Sequence, residues 1–595
     1  MNAYRTAVGS ATSAVCLLLL AAAAAASPAD DAFEQLAVRF IDDLPAFSPV
    51  YATSIGDHRA DHLLDQVGGD ARQRKVNLYR QYRTDLHAID RDNLSRANQI
   101  DAEILRVSIE ANIWSLETLQ DWAWDPLLYV NLAGSSLYGL MARDFAPTEE
   151  RVFDAVSRLE EFPRFLHQVR ESLQPARVPK IHAETAIQQN KGIHSIIDTM
   201  LLPQRSELSE ALATRLDTAV DRARQALQFH QGWLETELLP QAAGDFRIGA
   251  ELFDAKLRYT LDSPLSRREI RQRAESEYAA VRNEMYAVAR DVYSGTHPYT
   301  SFPDRPDDVF KQVIIRAALE EAYRHLPDPD AIVEIATDYL QHATAFVREH
   351  NLVTVPDDPI EVIVMPEYQR GVAVAYLDPP GPLDEGQKSF YAVAPLPEDW
   401  TPEQVQSFLR EYNLYSIQNL TLHEAMPGHY LQLALSNRYP STLRAVLWSG
   451  PFVEGWAVYG ERVMIDEGYL DRDPLMRLIN LKWYLRTITN AIIDQAIHVD
   501  GMTRDSAIRL MIEGGFQEER EAAGKWVRAQ LSSTQLSTYF VGYQEHADLR
   551  QALERAWGDD FTLRRYHDQA LSYGSPPVKY VRALMLKEKI PRSRE

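Results

Sequence analysis

Apolar residues recur every three or four positions through most of this chain, and this helical period constrains its fold more than any other feature. The pattern runs from Asp31 to about His350 and returns from Pro402 onward. A typical set is Phe33, Leu36, Phe40 and Leu44. Residues with this spacing form one apolar stripe along an α-helix, and the stripe packs into a core. The sequence therefore predicts a mainly α-helical protein.

A proline-rich stretch between residues 351 and 401 interrupts the helical pattern. Three runs in it have the composition of β-strands, namely Glu361–Met365, Gly371–Leu377 and Ser389–Ala394. We expect these runs to form a small sheet. The open edge of such a sheet either binds an extended peptide through main-chain hydrogen bonds or only braces the helices, and the sequence favours neither role over the other.

The first 26 residues have the pattern of a secretory signal peptide. Arg5 is their only charged residue, and the apolar run Ala14–Ala26 has 13 residues, fewer than the roughly 20 that cross a bilayer. The single cysteine, Cys16, lies in this segment. Residues 27–595 therefore have no disulfides and depend on a large core. We expect a periplasmic or secreted protein without a membrane span.

The charge and the motif content exclude several functions. The formal net charge is −23, which opposes binding to phosphate backbones and to anionic membrane surfaces, so nucleic acid is not an expected partner. The chain has no G-x-S-x-G elbow, no phosphate-binding P-loop and no G-x-G-x-x-G dinucleotide motif. One candidate site remains.

That site is the segment Leu422–Gln432, which reads L-H-E-A-M-P-G-H-Y-L-Q. A catalytic zinc site needs two neutral imidazoles, a carboxylate and one position open to water. We predict that His423, His429 and Glu454 bind Zn²⁺. Glu424, beside the first ligand, is the predicted general base that accepts a proton from water and delivers it to the leaving amine.

The spacing of the two histidines requires a broken helix. They are six residues apart, whereas four places two histidines on one helical face. Six residues along an α-helix turn the second side chain by roughly 120° and move it about 9 Å along the axis. Pro427 cannot donate a main-chain hydrogen bond and Gly428 tolerates unusual backbone angles. We expect a break there that returns His429 to the metal, although the same dipeptide also ends ordinary helices.

Further candidates lie downstream of the motif. Glu461 and Asp466 are alternatives to Glu454 as the acidic ligand. Groups that can donate a hydrogen bond to a developing oxyanion are found in Tyr539, Tyr543, His546 and the run Tyr566-His567-Asp568. Of these, Tyr543 and His567 are the predicted catalytic residues. Asp494 and His498, four residues apart, either orient a metal ligand or form an exposed helix pair. The residue types of these last candidates also occur as ordinary core or surface residues.

The residues of this site resemble the bacterial domain-of-unknown-function 885 family, whose members look like helical zinc peptidases of the gluzincin type. The resemblance is specific at His423-Glu424-Ala425, Pro427-Gly428-His429, Leu431-Gln432 and Glu454-Gly455-Trp456-Ala457, and it continues to Tyr566-His567-Asp568. The chain departs from the family pattern where Ser533-Thr534 replaces Pro-Gly before Gln535, and where the aromatic-His-Asp triplet begins with Tyr566 instead of Phe.

The resemblance implies one mostly α-helical fold around a deep cleft, related to helical carboxypeptidases and oligopeptidases. Since no change in composition divides the chain, we expect residues 27–595 to form a single domain with two lobes. These are an N-terminal helical lobe, residues 27–350, and a catalytic lobe with short strands near the zinc site, residues 351–595.

The expected function is zinc-dependent hydrolysis of peptide bonds in short peptides, because a deep helical cleft excludes folded proteins. The enzyme would be an oligopeptidase or an exopeptidase. Two alternatives remain at this stage. One is a non-catalytic secreted binding protein on the same fold, and the other is a metal-dependent amidase or esterase, since zinc-activated water attacks any carbonyl that fits.

Overall fold

The computed structural model describes residues 27–365, 375–397 and 400–593. The expected signal peptide, residues 1–26, lies outside the described residues, as does the 371–374 part of the second expected strand. Helices before the sheet are α1 Pro28–Phe47, α2 Pro49–Ser54, α3 Gly69–His87, α4 Arg96–Trp114, α5 Leu127–Met141, α6 Thr148–Glu160, α7 Phe162–Ser172, α8 Lys180–Ile196, α9 Glu210–Trp233, α10 Leu239–Gln241, α11 Gly249–Leu261, α12 Arg267–Thr296, α13 Asp308–Ala322 and α14 Ile332–Glu349.

Three short strands and a second series of helices follow. The strands are β1 Ile360–Val364, β2 Ala375–Asp378 and β3 Ser389–Val393. The helices are α15 Pro402–Glu411, α16 Leu414–Glu424, α17 His429–Ser436, α18 Thr442–Val446, α19 Gly450–Glu467, α20 Pro474–His498, α21 Arg504–Arg509, α22 Glu519–Leu531, α23 Ser537–Trp557, α24 Leu563–Leu571 and α25 Val578–Met585. The prediction of a mainly α fold with a small sheet is confirmed.

The sheet has the strand order β1-β3-β2. Strand β1 pairs with β3 in parallel, with Ile360 opposite Ser389, and β2 pairs with β3 antiparallel, with Ala375 opposite Val393. Strand β2 is therefore an edge strand. Among the described residues, no helix has the length and apolar character needed to cross a membrane.

Helix α20 lies at the centre of the core and is buried on nearly all of its faces. Its residues Leu485 and Ile488 share one hydrophobic cluster with Phe253, Ile270 and Ile315 from helices α11, α12 and α13. Helices on both sides of residue 350 therefore pack around the same element. A separate cluster is formed by helices α5 to α9.

A histidine connects the first helices to the sheet. His58 Nδ1 lies 2.8 Å from Asp61 Oδ2, and its Nε2 lies 3.1 Å from Asp384 Oδ1, in the segment that joins β2 to β3. Its ring stacks on Phe145 with 3.7 Å between ring centroids. Burial alone would lower the pKa of His58, but the hydrogen bonds with Asp384 and Asp61 outweigh burial and raise the pKa to about 9.

We expect this contact to make stability depend on pH. The folded-state pKa of His58 exceeds its unfolded value near 6.5, so its stabilising contribution is complete below about pH 6.5 and is lost as the pH rises through about 9. The shift corresponds to at most about 3 kcal/mol, and partial exposure of the ring reduces this to about 1–2 kcal/mol. Urea unfolding of the wild type and of His58→Gln should differ at pH 6 and converge at pH 10. An equal difference at both pH values would refute the assignment.

Candidate metal centre

The chain is interrupted between the two histidines of the motif. Helix α16 ends at Glu424, and α17 begins at His429, after a cis peptide bond between Met426 and Pro427. The Gly428 amide donates to the carbonyl of Leu422 at 2.9 Å. An added Cβ at Gly428 would lie 1.7 Å from the carbonyl oxygen of His423, so only glycine fits. The Pro-Gly dipeptide thus breaks the helix, and the break brings the two imidazoles together.

The imidazoles of His423 and His429 lie 4.7 Å apart, centroid to centroid, at nearly a right angle. Oε2 of Glu454 is 3.7 Å from Nε2 of His423 and 3.5 Å from Nε2 of His429. All three donor atoms lie within 4.8 Å of one another. Tetrahedral zinc with ligands at 2.0–2.1 Å places its donors about 3.3 Å apart. The two imidazole-to-carboxylate distances are close to this spacing, so the residues fit such an ion.

Helix α19, which carries Glu454, is fixed against both the helix break and helix α23. The indole Nε1 of Trp456 donates to the carbonyl of Pro427 at 2.9 Å. At the crossing with α23, Gly455 faces Gly542 so closely that an added Cβ on Gly455 would lie 2.2 Å from the Gly542 carbonyl carbon. Helices that meet at two glycines approach more closely than side chains allow. This packing determines where Glu454 lies.

Glu461, two turns after Glu454, orients the first histidine. Its Oε1 lies 2.6 Å from Nδ1 of His423, and its Oε2 accepts from Asn419 at 2.6 Å. A carboxylate at Nδ1 keeps the proton on that nitrogen and leaves Nε2 free to bind a metal. Glu461 is therefore placed to support a ligand rather than to serve as one. Asp466, the other alternative, is exposed beside Arg462.

We expect Glu461→Gln to lower zinc affinity by about 10- to 100-fold, because the carboxylate that orients a ligand histidine contributes by that amount. The change keeps the size of the side chain and removes its charge. Glu467→Gln, at the end of the same helix, is the matched control and should bind zinc like the wild type. Competition with a chelator of known affinity measures both variants. Equal zinc affinity of Glu461→Gln and the control would contradict this role.

Glu424 is buried beside the three candidate ligands. Its Oε2 accepts a hydrogen bond of 3.0 Å from the amide of Leu377, in edge strand β2. Burial raises its pKa above the ordinary carboxyl value, against the attraction of His429 and His423. A raised pKa makes the carboxylate a stronger base, which suits a group that accepts a proton from water. The same hydrogen bond shows that the free edge of β2 faces the site.

The electrostatics of the cluster favour a cation among its ligands. Burial alone would lower the pKa of His423, but its hydrogen bonds with Glu454 and Glu461 outweigh burial and raise the pKa well above its ordinary value. Burial would raise the pKa of Glu454, yet the neighbouring His423 and His429 hold it well below its ordinary value. Positive charge is therefore stabilised at the point where the three donor atoms converge.

Two predicted catalytic residues have partners elsewhere. Both ring nitrogens of His567 are engaged, Nε2 with the hydroxyl of Tyr459 at 2.9 Å and Nδ1 with the carbonyl of Leu352 at 2.7 Å. Tyr543 packs on Tyr484, with ring centroids 4.4 Å apart. Within the described part of the chain, neither Tyr543 nor His567 has a hydrogen bond or ring contact with the three candidate ligands. His567 instead braces α24 against α19.

Asp494 fixes the start of helix α23 instead of orienting a metal ligand. Its carboxylate accepts from the amides of Thr534 and Ser537 at 2.9 and 3.1 Å, and from the Ser537 hydroxyl at 2.7 Å. Nε2 of His498 lies 2.8 Å from the carbonyl oxygens of Ala529 and Ser532. Asp494 and His498 therefore each bind main-chain groups of other segments, and the predicted pair does not orient a metal ligand.

The structure brings Tyr539 and Arg528, which are not among the predicted catalytic residues, near the site. The ring of Tyr539 lies 6.5 Å from that of His423. Its hydroxyl accepts from Arg528 at 3.1 Å and from Gln535 at 3.4 Å. The sequence places Tyr539 among the possible oxyanion donors, one helical turn before Tyr543, but does not indicate which tyrosine lies beside His423. Arg528 lies on another helix, α22, and no motif marks it.

The sequence profile of the family described as "Bacterial protein of unknown function (DUF885)" matches residues 49–585. A structure titled "putative lipoprotein of unknown function from Shewanella oneidensis" is 34% identical, with a TM-score of 0.78, and the match covers 93% of this chain and 99% of that one. No curated protein matches the chain.

A second structure, titled "putative lipoprotein from Colwellia psychrerythraea", is 18% identical, with a TM-score of 0.75 and the same coverage of both chains. At this identity the likeness concerns the fold alone. The family profile spans most of the chain and includes the motif and Glu454. The chain therefore belongs to the bacterial family of unknown function DUF885.

Proposed function

We propose that this protein is a zinc-dependent peptidase that hydrolyses short peptides. The observation that carries the proposal is the convergence of His423, His429 and Glu454, with Glu424 buried beside them. The break at Pro427-Gly428, which the histidine spacing requires, is present between helices α16 and α17. A fold alone does not determine an activity, so the proposal depends on this site.

The candidate ligands divide into binding and catalytic roles. A zinc ion on three protein ligands keeps one position for water and lowers the pKa of that water to about 7. His423 and His429 would hold the ion through Nε2, and Glu454 would supply the negative charge. Glu424 accepts a proton from the attacking water and delivers it to the leaving nitrogen, which its buried position beside the ligands supports.

The hydrogen-bond donor for the developing oxyanion is assigned to Tyr539 in place of Tyr543 and His567. Arg528 and Gln535 both donate to the Tyr539 hydroxyl oxygen, which leaves the hydroxyl proton free to be donated. In the described residues this proton has no acceptor. A donor in this position would stabilise negative charge on the carbonyl oxygen of the substrate.

The edge of strand β2 supports a peptide as the substrate. Its Leu377 amide points away from β3 and toward Glu424. An extended peptide that pairs with this edge would pass along the catalytic carboxylate, and main-chain pairing accepts many side-chain sequences. An ester or an amide without a peptide main chain could not pair with the strand edge in this way.

The expected location outside the cytoplasm is supported by the two similar structures, since both are described as putative lipoproteins. A peptidase there would meet peptides from outside the cell or from the cell envelope. The formal net charge of −23 agrees with a partner other than nucleic acid.

A digest of mixed synthetic peptides, read by mass spectrometry, tests the proposal. We expect cleavage of short peptides that stops with a chelator and returns when zinc is added. Folded proteins should remain intact. Cleavage that a chelator does not affect would refute the zinc mechanism. Zinc binding without cleavage of any peptide would favour the binding protein, and cleavage of esters or amides alone would favour the amidase or esterase.

A further inference from the structure

Arg528 of helix α22 has an unusual set of partners for a half-buried arginine. Its Nη2 donates to the Tyr539 hydroxyl at 3.1 Å and to the Gln535 side-chain oxygen at 3.0 Å, and both are neutral groups. Its Nη1 and Nε have no acceptor within the described ranges of the chain. One edge of the guanidinium is therefore anchored, and its other donors are available.

No carboxylate of the described residues lies within 4.0 Å of this guanidinium. The nearest acid on the same helix, Glu521, is already engaged by Arg486 at 2.5 Å, by Lys525 at 3.8 Å and by the Tyr412 hydroxyl at 3.1 Å. A cation withdrawn from water without a counter-ion is costly, and most such cations are paired. Among the described residues, Arg528 therefore has no acidic side chain as its counter-ion.

Arg528 lies beside the candidate metal centre. The Tyr539 ring, whose hydroxyl Arg528 contacts, is 6.5 Å from the ring of His423. Burial lowers the pKa of Arg528, while Tyr539 and the negative charge of Glu454 raise it above its ordinary value. Zinc bound to Glu454 would neutralise that negative charge. The positive charge of Arg528 would then have no negative charge of Glu454 to balance it.

Lys525, three residues earlier on α22, is a weaker candidate for binding an anion. Its ammonium is buried, and burial together with Arg486 lowers its pKa well below the ordinary value. Arginine stays protonated in proteins, and its planar fork binds a carboxylate with two parallel hydrogen bonds. Arg528, unlike Lys525, therefore keeps its positive charge.

We propose that Arg528 binds a carboxylate of the peptide substrate, held in place by Tyr539 and Gln535. The inference rests on the proposed function and specifies its substrate class as peptides with a carboxylate near the bond that is cleaved. That carboxylate comes from the free C-terminus or from an Asp or Glu side chain. The chemistry is the same in both cases, and the test separates the two sources.

The first measurement compares peptides of one sequence that differ only in charge. One pair has a free C-terminal acid or an amide, and a second pair has Glu or Gln next to the cleaved bond. We expect the carboxylate form of one pair to be cleaved with a kcat/KM about 10- to 100-fold higher, in line with a charge-assisted hydrogen bond. The preferred pair identifies the source. Equal kcat/KM for both members of both pairs would overturn the proposal.

The second measurement uses variants of the full chain. In Arg528→Gln, the ratio of kcat/KM for the carboxylate form to kcat/KM for the uncharged form should fall to about one, mainly through KM. Arg528→Lys should retain part of this preference. Arg520→Gln is the matched control, since Arg520 is exposed on the same helix and stacks on Trp400. Zinc content should be unchanged in all three. A preference that survives in Arg528→Gln would overturn the proposal.

A binding experiment separates this inference from the peptidase activity. In the Glu424→Gln protein, calorimetry measures the Kd of the tripeptide Ala-Ala-Phe as free acid and as C-terminal amide, and of Ala-Glu-Phe-amide and Ala-Gln-Phe-amide. Tighter binding of one carboxylate form, lost in Glu424→Gln/Arg528→Gln, supports the assignment even if the enzyme cleaves none of them. Equal Kd values within both pairs would overturn it even if the protein is a peptidase.

Discussion

Replacing Glu424 with Gln is expected to abolish peptide hydrolysis and to leave zinc bound. Glutamine keeps the size of the side chain and an oxygen that accepts the 3.0 Å hydrogen bond from the Leu377 amide. It cannot accept a proton from water. Because general acid–base catalysis contributes typically 10²- to 10⁴-fold, kcat should fall by at least about that factor. Steady-state kinetics and metal analysis of the same preparation measure both quantities.

The control for this variant is Asp466→Asn, which removes an exposed carboxylate of helix α19. Asp466 lies 3.5 Å from Arg462 and 3.6 Å from Arg477. Its loss should change neither zinc content nor kcat beyond about twofold, since exposed ion pairs contribute little. If Glu424→Gln retains the kcat of this control, the assigned general base is wrong.

Replacing Gly428 with Ala is expected to destroy the metal site with little change elsewhere. The new methyl group would lie 1.7 Å from the His423 carbonyl oxygen and 2.5 Å from that of Leu422. Both are main-chain atoms, so the break between α16 and α17 must shift, and His429 shifts with it. We expect zinc affinity to fall by more than about 100-fold. Mutation of a residue that only hydrogen-bonds to a metal ligand already lowers metal affinity by about 10- to 100-fold. Overpacking should destabilise the fold by about 1–3 kcal/mol.

The matched control is Gly524→Ala in helix α22, where an added Cβ meets no atom within 4 Å. This change should leave zinc affinity unchanged and stabilise the fold by about 0.5–1 kcal/mol, because alanine favours helix more than glycine does. Isothermal titration with zinc and thermal unfolding measure both variants. Normal zinc affinity in Gly428→Ala would show that the geometry of the break is not required.

The core of the candidate site could be predicted because it follows local rules. A six-residue spacing excludes an intact helix, and Pro427-Gly428 provides the only break between the histidines. The structure has that break, with α16 ending before it and α17 beginning at His429. Glu424 directly follows His423 in the sequence, so its position beside the first candidate ligand could also be predicted. A mainly α fold with three short strands also follows from periodicity and from the positions of the prolines.

The remaining parts depend on packing between distant segments. The sequence offered Glu461 as an alternative metal ligand, whereas the structure places it on Nδ1 of His423, since two helical turns separate it from Glu454. Tyr543 and His567 are predicted from the residue types near the C-terminus, but residue type does not reveal which side chains a neighbouring helix contacts. His567 is engaged on both nitrogens. Arg528 is linked to the site through its hydrogen bond to Tyr539 of α23, whose ring lies beside that of His423.

Metal analysis of the purified protein tests the central claim most directly. After dialysis with excess zinc and removal of unbound ions, mass spectrometry of the metal content should find one zinc ion per chain. His429→Ala and Glu454→Gln should each hold far less under the same conditions, while Asp466→Asn should match the wild type. A wild-type protein that takes up no stoichiometric zinc, or ligand variants that retain it fully, would contradict the account.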